Sequence, residues 1–134
     1  PRNEVFSDIM RNLGFAEERG SGIDKAVIAT EQMGLPAIIF RNEVDYFRVT
    51  IFCSRAFDQM SKAEKLDVIY QHACLNSVIL RKTTGRSIRE RFGISRDEST
   101  QIYKLIDEAV SSGKIKMANP EDGRKDHYYY PYWM

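Results

Sequence analysis

The 134-residue chain has few of the side chains that usually announce a metal site, a disulfide framework or a membrane span. It holds two cysteines, two histidines, one tryptophan and four prolines. Cys53 and Cys74 stand far apart in a chain with no export signal, so both are expected reduced and buried rather than bridged. His72 and His127 have no cysteine or histidine at ligand spacing, and no metal is expected. No run approaches the roughly 20 apolar residues that cross a bilayer, and no signal-peptide pattern is present. No membrane partner is expected, and the expected compartment is the cytoplasm. No heptad pattern marks a coiled coil, so a homodimer, common among regulators, has no helical zipper behind it here. The chain begins at Pro1 rather than Met, which fits a fragment of, or a product processed from, something longer.

The formal net charge of +1 excludes a strongly basic or acidic protein but hides an asymmetry. Residues 1–76 carry nine Lys/Arg and eleven Asp/Glu; residues 77–134 carry eleven and eight. The excess positive charge is C-terminal and modest, compatible with a nucleic-acid surface without requiring one.

The hydrophobic period divides the chain. Val5, Phe6, Ile9, Met10 and Leu13 recur at helical spacing, and Gly14 can close that helix. Ser21 offers an N-cap for a second helix with Ile23, Val27, Thr30 and Met33 on one face, ended by Gly34 before Pro36. The period then becomes two: Ile38 and Phe40, a turn at "RNEVD", then Phe47, Val49 and Ile51. This predicts a β-hairpin with one buried face. "SRAFDQM" (Ser54 to Met60) breaks the pattern and is taken as a boundary, giving segments 1–58 and 59–134.

The second segment opens at Ser61 with Glu64 three residues on, a capping box, and Leu66, Ile69, Tyr70, Ala73 and Cys74 form an apolar stripe. A polar break, "RKTTGR", follows. Ser87 with Glu90, and Ser95 with Glu98, read as two further boxes opening a short helix to Phe92 and a longer one to Gly113. The longer helix would bury Ile102, Leu105, Ile106, Ala109 and Val110. "KIKM", a turn-rich "ANPEDGRKD" and "HYYYPYW" then predict a two-stranded ribbon with Trp133 anchoring the tail. Two helices joined by a tight turn and followed by a ribbon make a winged helix-turn-helix, which commonly places its last helix in the DNA major groove.

The charges fit that use unevenly. Arg81, Lys82, Arg86, Arg89 and Arg91 face only Glu90 within their run, and Arg124 and Lys125 fall at the ribbon tip. These can engage phosphates, although a solvated basic face explains Arg81 to Arg91 as well. The longer helix has Arg96 and Lys104 against Asp97, Glu98, Asp107 and Glu108, which disfavours the major groove. Its middle positions Ser99, Thr100, Gln101, Tyr103 and Lys104 are nonetheless types that reach base edges. DNA binding and a protein-contact or dimerisation role both remain open. The aromatic run Tyr128 to Trp133 can stack on bases, but packing against a core is the favoured reading.

Gly20-Ser21-Gly22, preceded by Arg19, could cradle an anion at a helix start. A turn with Ser21 as N-cap explains the same residues without a ligand. The pattern Arg2-Asn3, Leu13-Gly14, Glu18-Arg19-Gly20-Ser21-Gly22-Ile23, Gly34-Leu35-Pro36 and Phe47-Arg48-Val49-Thr50 resembles the C-terminal region of the RecG-related ATP-dependent DNA helicase and transcriptional-regulator family. "YQHACL", "SIRERFGI" and "YPYW" resemble that family's winged-helix end. Full-length members carry a Schlafen AlbA-type N-terminal domain. The resemblance implies a GHKL-like ATPase fold in which Gly20, Ser21 and Gly22, with Arg19 beside them, would help hold a triphosphate. The Asn-bearing Mg²⁺ helix and the Asp-x-Gly-x-Gly stretch of such sites are missing here, as are a Walker lysine motif and an identifiable general base. No catalytic residue is assigned, and no autonomous ATPase or helicase is expected.

The fold class expected is therefore α+β: a small helix-helix-hairpin domain, the C-terminal half of a GHKL-like fold, followed by a winged helix-turn-helix domain. The expected function is duplex-DNA binding as the C-terminal part of a transcriptional regulator, without a cofactor in this segment. The competing expectation is part of a degenerate nucleotide-binding ATPase, with ATP bound only in the full-length protein and the winged helix serving protein contact.

Overall fold

The computed structural model describes residues 3–16, 21–119, 121 and 127–134. Over these residues the chain is α+β, with five α-helices, one 3₁₀ turn and two small antiparallel sheets.

The first segment is thinly packed. Helix α1 (Glu4–Asn12) is started by Asn3, whose Oδ1 accepts from the Phe6 N–H at 2.9 Å, and it buries none of its residues. Helix α2 (Gly22–Gln32) buries only Thr30. Ser21 stands at its N-cap position without a side-chain capping hydrogen bond. Strands β1 (Ile39–Asn42) and β2 (Phe47–Thr50) pair antiparallel from Ile39↔Thr50 to Asn42↔Phe47. The expected buried faces of α1 and the hairpin are open instead: Phe6, Ile9, Leu13, Phe47, Val49 and Ile51 are exposed. The amphipathic pattern is present, but no described element covers it. The buried part of this segment lies where it meets the second, at Thr30 and Pro36–Ile38.

The second segment carries the core. After a 3₁₀ turn (Phe57–Gln59) comes helix α3 (Lys62–Val78). Ser61 Oγ accepts from Glu64 N–H at 3.3 Å, and the Glu64 carboxylate accepts from Ser61 N–H at 2.8 Å, the expected capping box. Strand β3 (Thr83–Thr84) then leads directly into helix α4 (Gly85–Arg91). The box that starts α4 is Thr84 with Ser87, not Ser87 with Glu90. Thr84 is extended because it ends a strand, which is the backbone a cap requires. Helix α5 (Ser99–Ser111) also starts late: Ser95 Oγ donates to Glu98 Oε2 at 3.1 Å, and the intervening residues form a turn. Strands β4 (Ile115–Met117) and β5 (Tyr128–Pro131) follow. The sheet order is β3-β5-β4, with Thr83↔Tyr129 on one side of β5 and Met117↔Tyr129 on the other.

One cluster unites these elements: Ile69 and Ala73 from α3, Ile88 from α4, Ile102, Ile106 and Ala109 from α5, and Ile115 and Tyr129 from β4 and β5. Alternation along β5 buries Tyr129 and Pro131 and leaves Tyr128 and Tyr130 on the opposite sheet face. The tail meets the core at Tyr70, on which Tyr132 stacks with ring centroids 5.9 Å apart; Tyr132 and Trp133 are each 53% exposed. Cys53 and Cys74 are free as expected, but Cys53 is exposed because β2 ends before it, and Cys74 is half-buried.

Candidate nucleic-acid interface

The basic run that the sequence presents as one patch separates into three places. Arg86 and Arg89 border a groove of about 690 Å³ between the start of α4 and the start of α5. Arg96 borders the same groove, together with Ser99, Tyr103 and His127. Arg96 was not singled out by sequence reasoning, because it precedes α5 in a turn and only the fold brings it opposite Arg86 and Arg89. Tyr103 sits over Gly85: a Cβ there would lie 2.9 Å from the tyrosine ring, so glycine is what lets the ring lie against the α4 start.

Arg86 is already engaged, its Nε 2.7 Å from Glu90 Oε1, with both side chains largely exposed. The hydrogen bond from Arg86 holds the Glu90 carboxyl below its ordinary range. Solvent-exposed pairing of this kind is weak, so an incoming phosphate can compete for the guanidinium.

Thr100, Gln101 and Lys104 are exposed on α5, one surface away from the buried Ile102, Ile106 and Ala109. They do not line the groove; they flank it along the helix. Of the acids on α5, Glu108 is paired with Lys62 at 2.8 Å, which offsets part of the negative charge counted against this helix.

Arg81 and Lys82 point elsewhere. They border a separate cavity of about 350 Å³ with Leu80, Tyr128, Tyr130 and Met134. Arg91 must be withdrawn as a DNA contact. Its side chain is 5% exposed, with Nε 2.8 Å from Glu31 Oε2, an ion pair without hydrogen-bond alignment. Its Nη2 donates to the Leu35 carbonyl at 2.5 Å. The reason is simple: α4 packs its C-terminal end toward α2, and a buried guanidinium needs a carboxylate there.

That ion pair belongs to a polar junction between the two segments. Glu31 Oε1 lies 2.5 Å from His72 Nδ1, and His72 Nε2 lies 3.1 Å from Ser87 Oγ. Asn76 donates to Thr83 Oγ1 at 3.0 Å, and the Ile38 N–H donates to Gln71 Oε1 at 3.0 Å. Burial by itself would raise the Glu31 carboxyl; the His72 hydrogen bond and the Arg91 charge outweigh it and hold it below its ordinary value.

Arg124 and Lys125 at the ribbon tip lie outside the described residues, as do Arg19 and Gly20 of the glycine stretch. Of that stretch, Ser21 and Gly22 are at the start of α2, and a Cβ on Gly22 would meet nothing within 4 Å. Among the described residues no group of His, Cys, Asp or Glu could hold a metal ion, and no helix is long and apolar enough to cross a membrane.

The start of α2 and the β1–β2 hairpin lie within the part of the chain with a family match. Residues 1–51 match a family described as "Putative ATP-dependent DNA helicase recG C-terminal". The match stops one residue beyond β2, before the 3₁₀ turn and the whole of the main core. No curated protein and no solved structure matched the chain.

Proposed function

We propose that residues 59–134 are a winged helix that binds duplex DNA, in the C-terminal part of a transcriptional regulator. In this reading α5 faces the major groove, and Thr100, Gln101 and Lys104 reach base edges. Arg86, Arg89 and Arg96 hold one strand's phosphates, with the Ser99 hydroxyl between them. Arg124 and Lys125 on the β4–β5 connection take the neighbouring backbone. The observation that carries the reading is the convergence of three arginines from two elements on one polar groove beside an exposed helix face. The RecG-like segment serves assembly, including pairing with a second copy, or ligand sensing. The role is non-catalytic and cytoplasmic, and any ATP bound by the longer protein would meet Ser21 and Gly22.

Anisotropy titration of a labelled duplex across a salt series tests this. Affinity is expected to fall steeply with salt, and each of Arg89→Ala and Arg96→Ala should lower the slope of log K against log salt by about 1. Arg91→Ala should leave that slope unchanged at temperatures where the variant is folded. Absence of duplex binding at low salt would defeat the proposal. ATP titration of the longer protein with and without Gly22→Val tests the nucleotide role separately.

A further inference from the structure

Helix α3 ends in an unusual way. Leu80 N–H donates to the Ser77 carbonyl at 3.3 Å and Arg81 N–H to the Asn76 carbonyl at 2.7 Å, the paired bonds of a Schellman stop. Such a stop needs a left-handed residue, ordinarily glycine. Gly14, Gly34, Gly93 and Gly113 supply the other positive-φ positions among the described residues. Leu80 is the exception, at φ 57, and its side chain is 91% exposed. A leucine there carries backbone strain that glycine would avoid and gains almost no burial in return. Nothing in folding explains it.

Its surroundings offer an explanation. Leu80 and Met134 are apolar walls of the 350 Å³ cavity on the outer face of the small sheet. Tyr128 and Tyr130, the members of β5 that turn away from the core, form its floor. Lys82 Nζ lies 4.4 Å from the centre of the Tyr128 ring. Arg81 is exposed, and no acid of the described residues pairs with it. The size falls within the range of small-ligand sites, and the chemistry is two-sided: flat aromatic faces below, two cations at the rim.

We propose that this cavity binds a small organic anion with a planar apolar body, of the aromatic carboxylate class. The ring lies against Tyr128 and Tyr130 under Leu80, and the carboxylate takes a forked pair of hydrogen bonds from Arg81, with Lys82 as second cation. Arg81 and Lys82 thereby leave the DNA-contacting set. The proposal stands apart from the DNA reading, since the cavity and the arginine groove share no cation and have only Tyr129 in common.

Calorimetric titration with 1-naphthoate, and with 1-naphthamide as its uncharged counterpart, tests it. The carboxylate should bind, and the amide should bind at least about tenfold more weakly, the loss expected for one charge-assisted pair. Arg81→Gln should reduce naphthoate affinity by a similar factor. Leu80→Gly separates binding from folding: it should keep or raise the melting temperature while weakening naphthoate. Lys62→Gln, at the start of α3, should leave naphthoate affinity unchanged. Equal binding of acid and amide would overturn the proposal. So would unchanged affinity in Arg81→Gln and Leu80→Gly, no binding at millimolar ligand, or loss of binding on Val49→Thr, which would place the ligand on the open hairpin face instead.

Discussion

Glu31 and Arg91 are the two residues whose chemistry the fold decides most completely. Each side chain is less than a tenth exposed, and each satisfies the other's charge. Removing one partner from a buried pair costs about 3–5 kcal/mol, because the remaining charge is stranded. Glu31→Gln should therefore lower stability by roughly 3 kcal/mol in urea unfolding. The pH dependence has a definite sign. The folded-state value for Glu31 lies below its ordinary 4.5, so its contribution is complete above that pH and is lost as pH falls through the lowered value. The urea midpoint of the parent protein should drop in this acid range, and that of Glu31→Gln should drop less. Arg91 could not have been distinguished from Arg89 by sequence. Both follow a glutamate or an isoleucine in one short basic helix, and only contact with a helix from the other segment makes one an interior group and leaves the other bordering a groove.

At the level of elements, legibility followed packing. Helices α3 and α5 were readable because each has a single apolar stripe that one core consumes. Strand β3 was not, since two threonines inside a polar break become a strand only by pairing with Tyr128 and Tyr129, far along the chain. The start of α4 shifted for the same reason: its cap is the end of that strand. Helix α1 teaches the opposite lesson. Its amphipathic pattern was read correctly as helix, yet the face it predicts as buried is open. Nine residues are too few to hold an isolated helix in water, where about 12–15 are marginal. Hydrogen exchange should find α1 amides unprotected while α3 and α5 amides exchange only on global unfolding. Slow exchange in α1 at high protein concentration alone would mark association through that face.

Residues 1–51 meet the main core through apolar burial at Pro36–Ile38 and through the polar contacts around Glu31. Among the described residues the core cluster draws only on residues from Ile69 onward, with Phe57 and Leu66 at its margin, so residues 52–134 should fold without residues 1–51. That shorter chain would leave Arg91 and His72 facing water or each other in place of Glu31. Thermal unfolding should show native helix content in α3–α5 with a lower midpoint than the intact chain. Arg91→Met in the shorter chain should change that midpoint little, since a guanidinium that faces water is no longer a stranded charge. The same substitution in the intact chain should destabilise, because it strands Glu31.

Domain shuffling would meet an obstacle in that joint. A C-terminal unit that could be cut out and spliced behind any partner would have a neutral seam, tolerant of whatever neighbour it acquires. Here the seam carries an unquenched cation on one side and its counter-ion on the other, so a graft onto a foreign protein inherits a defect that only a matching acid repairs. Exchange of such modules should therefore succeed between chains that keep the acid–base couple across the join and fail between those that do not.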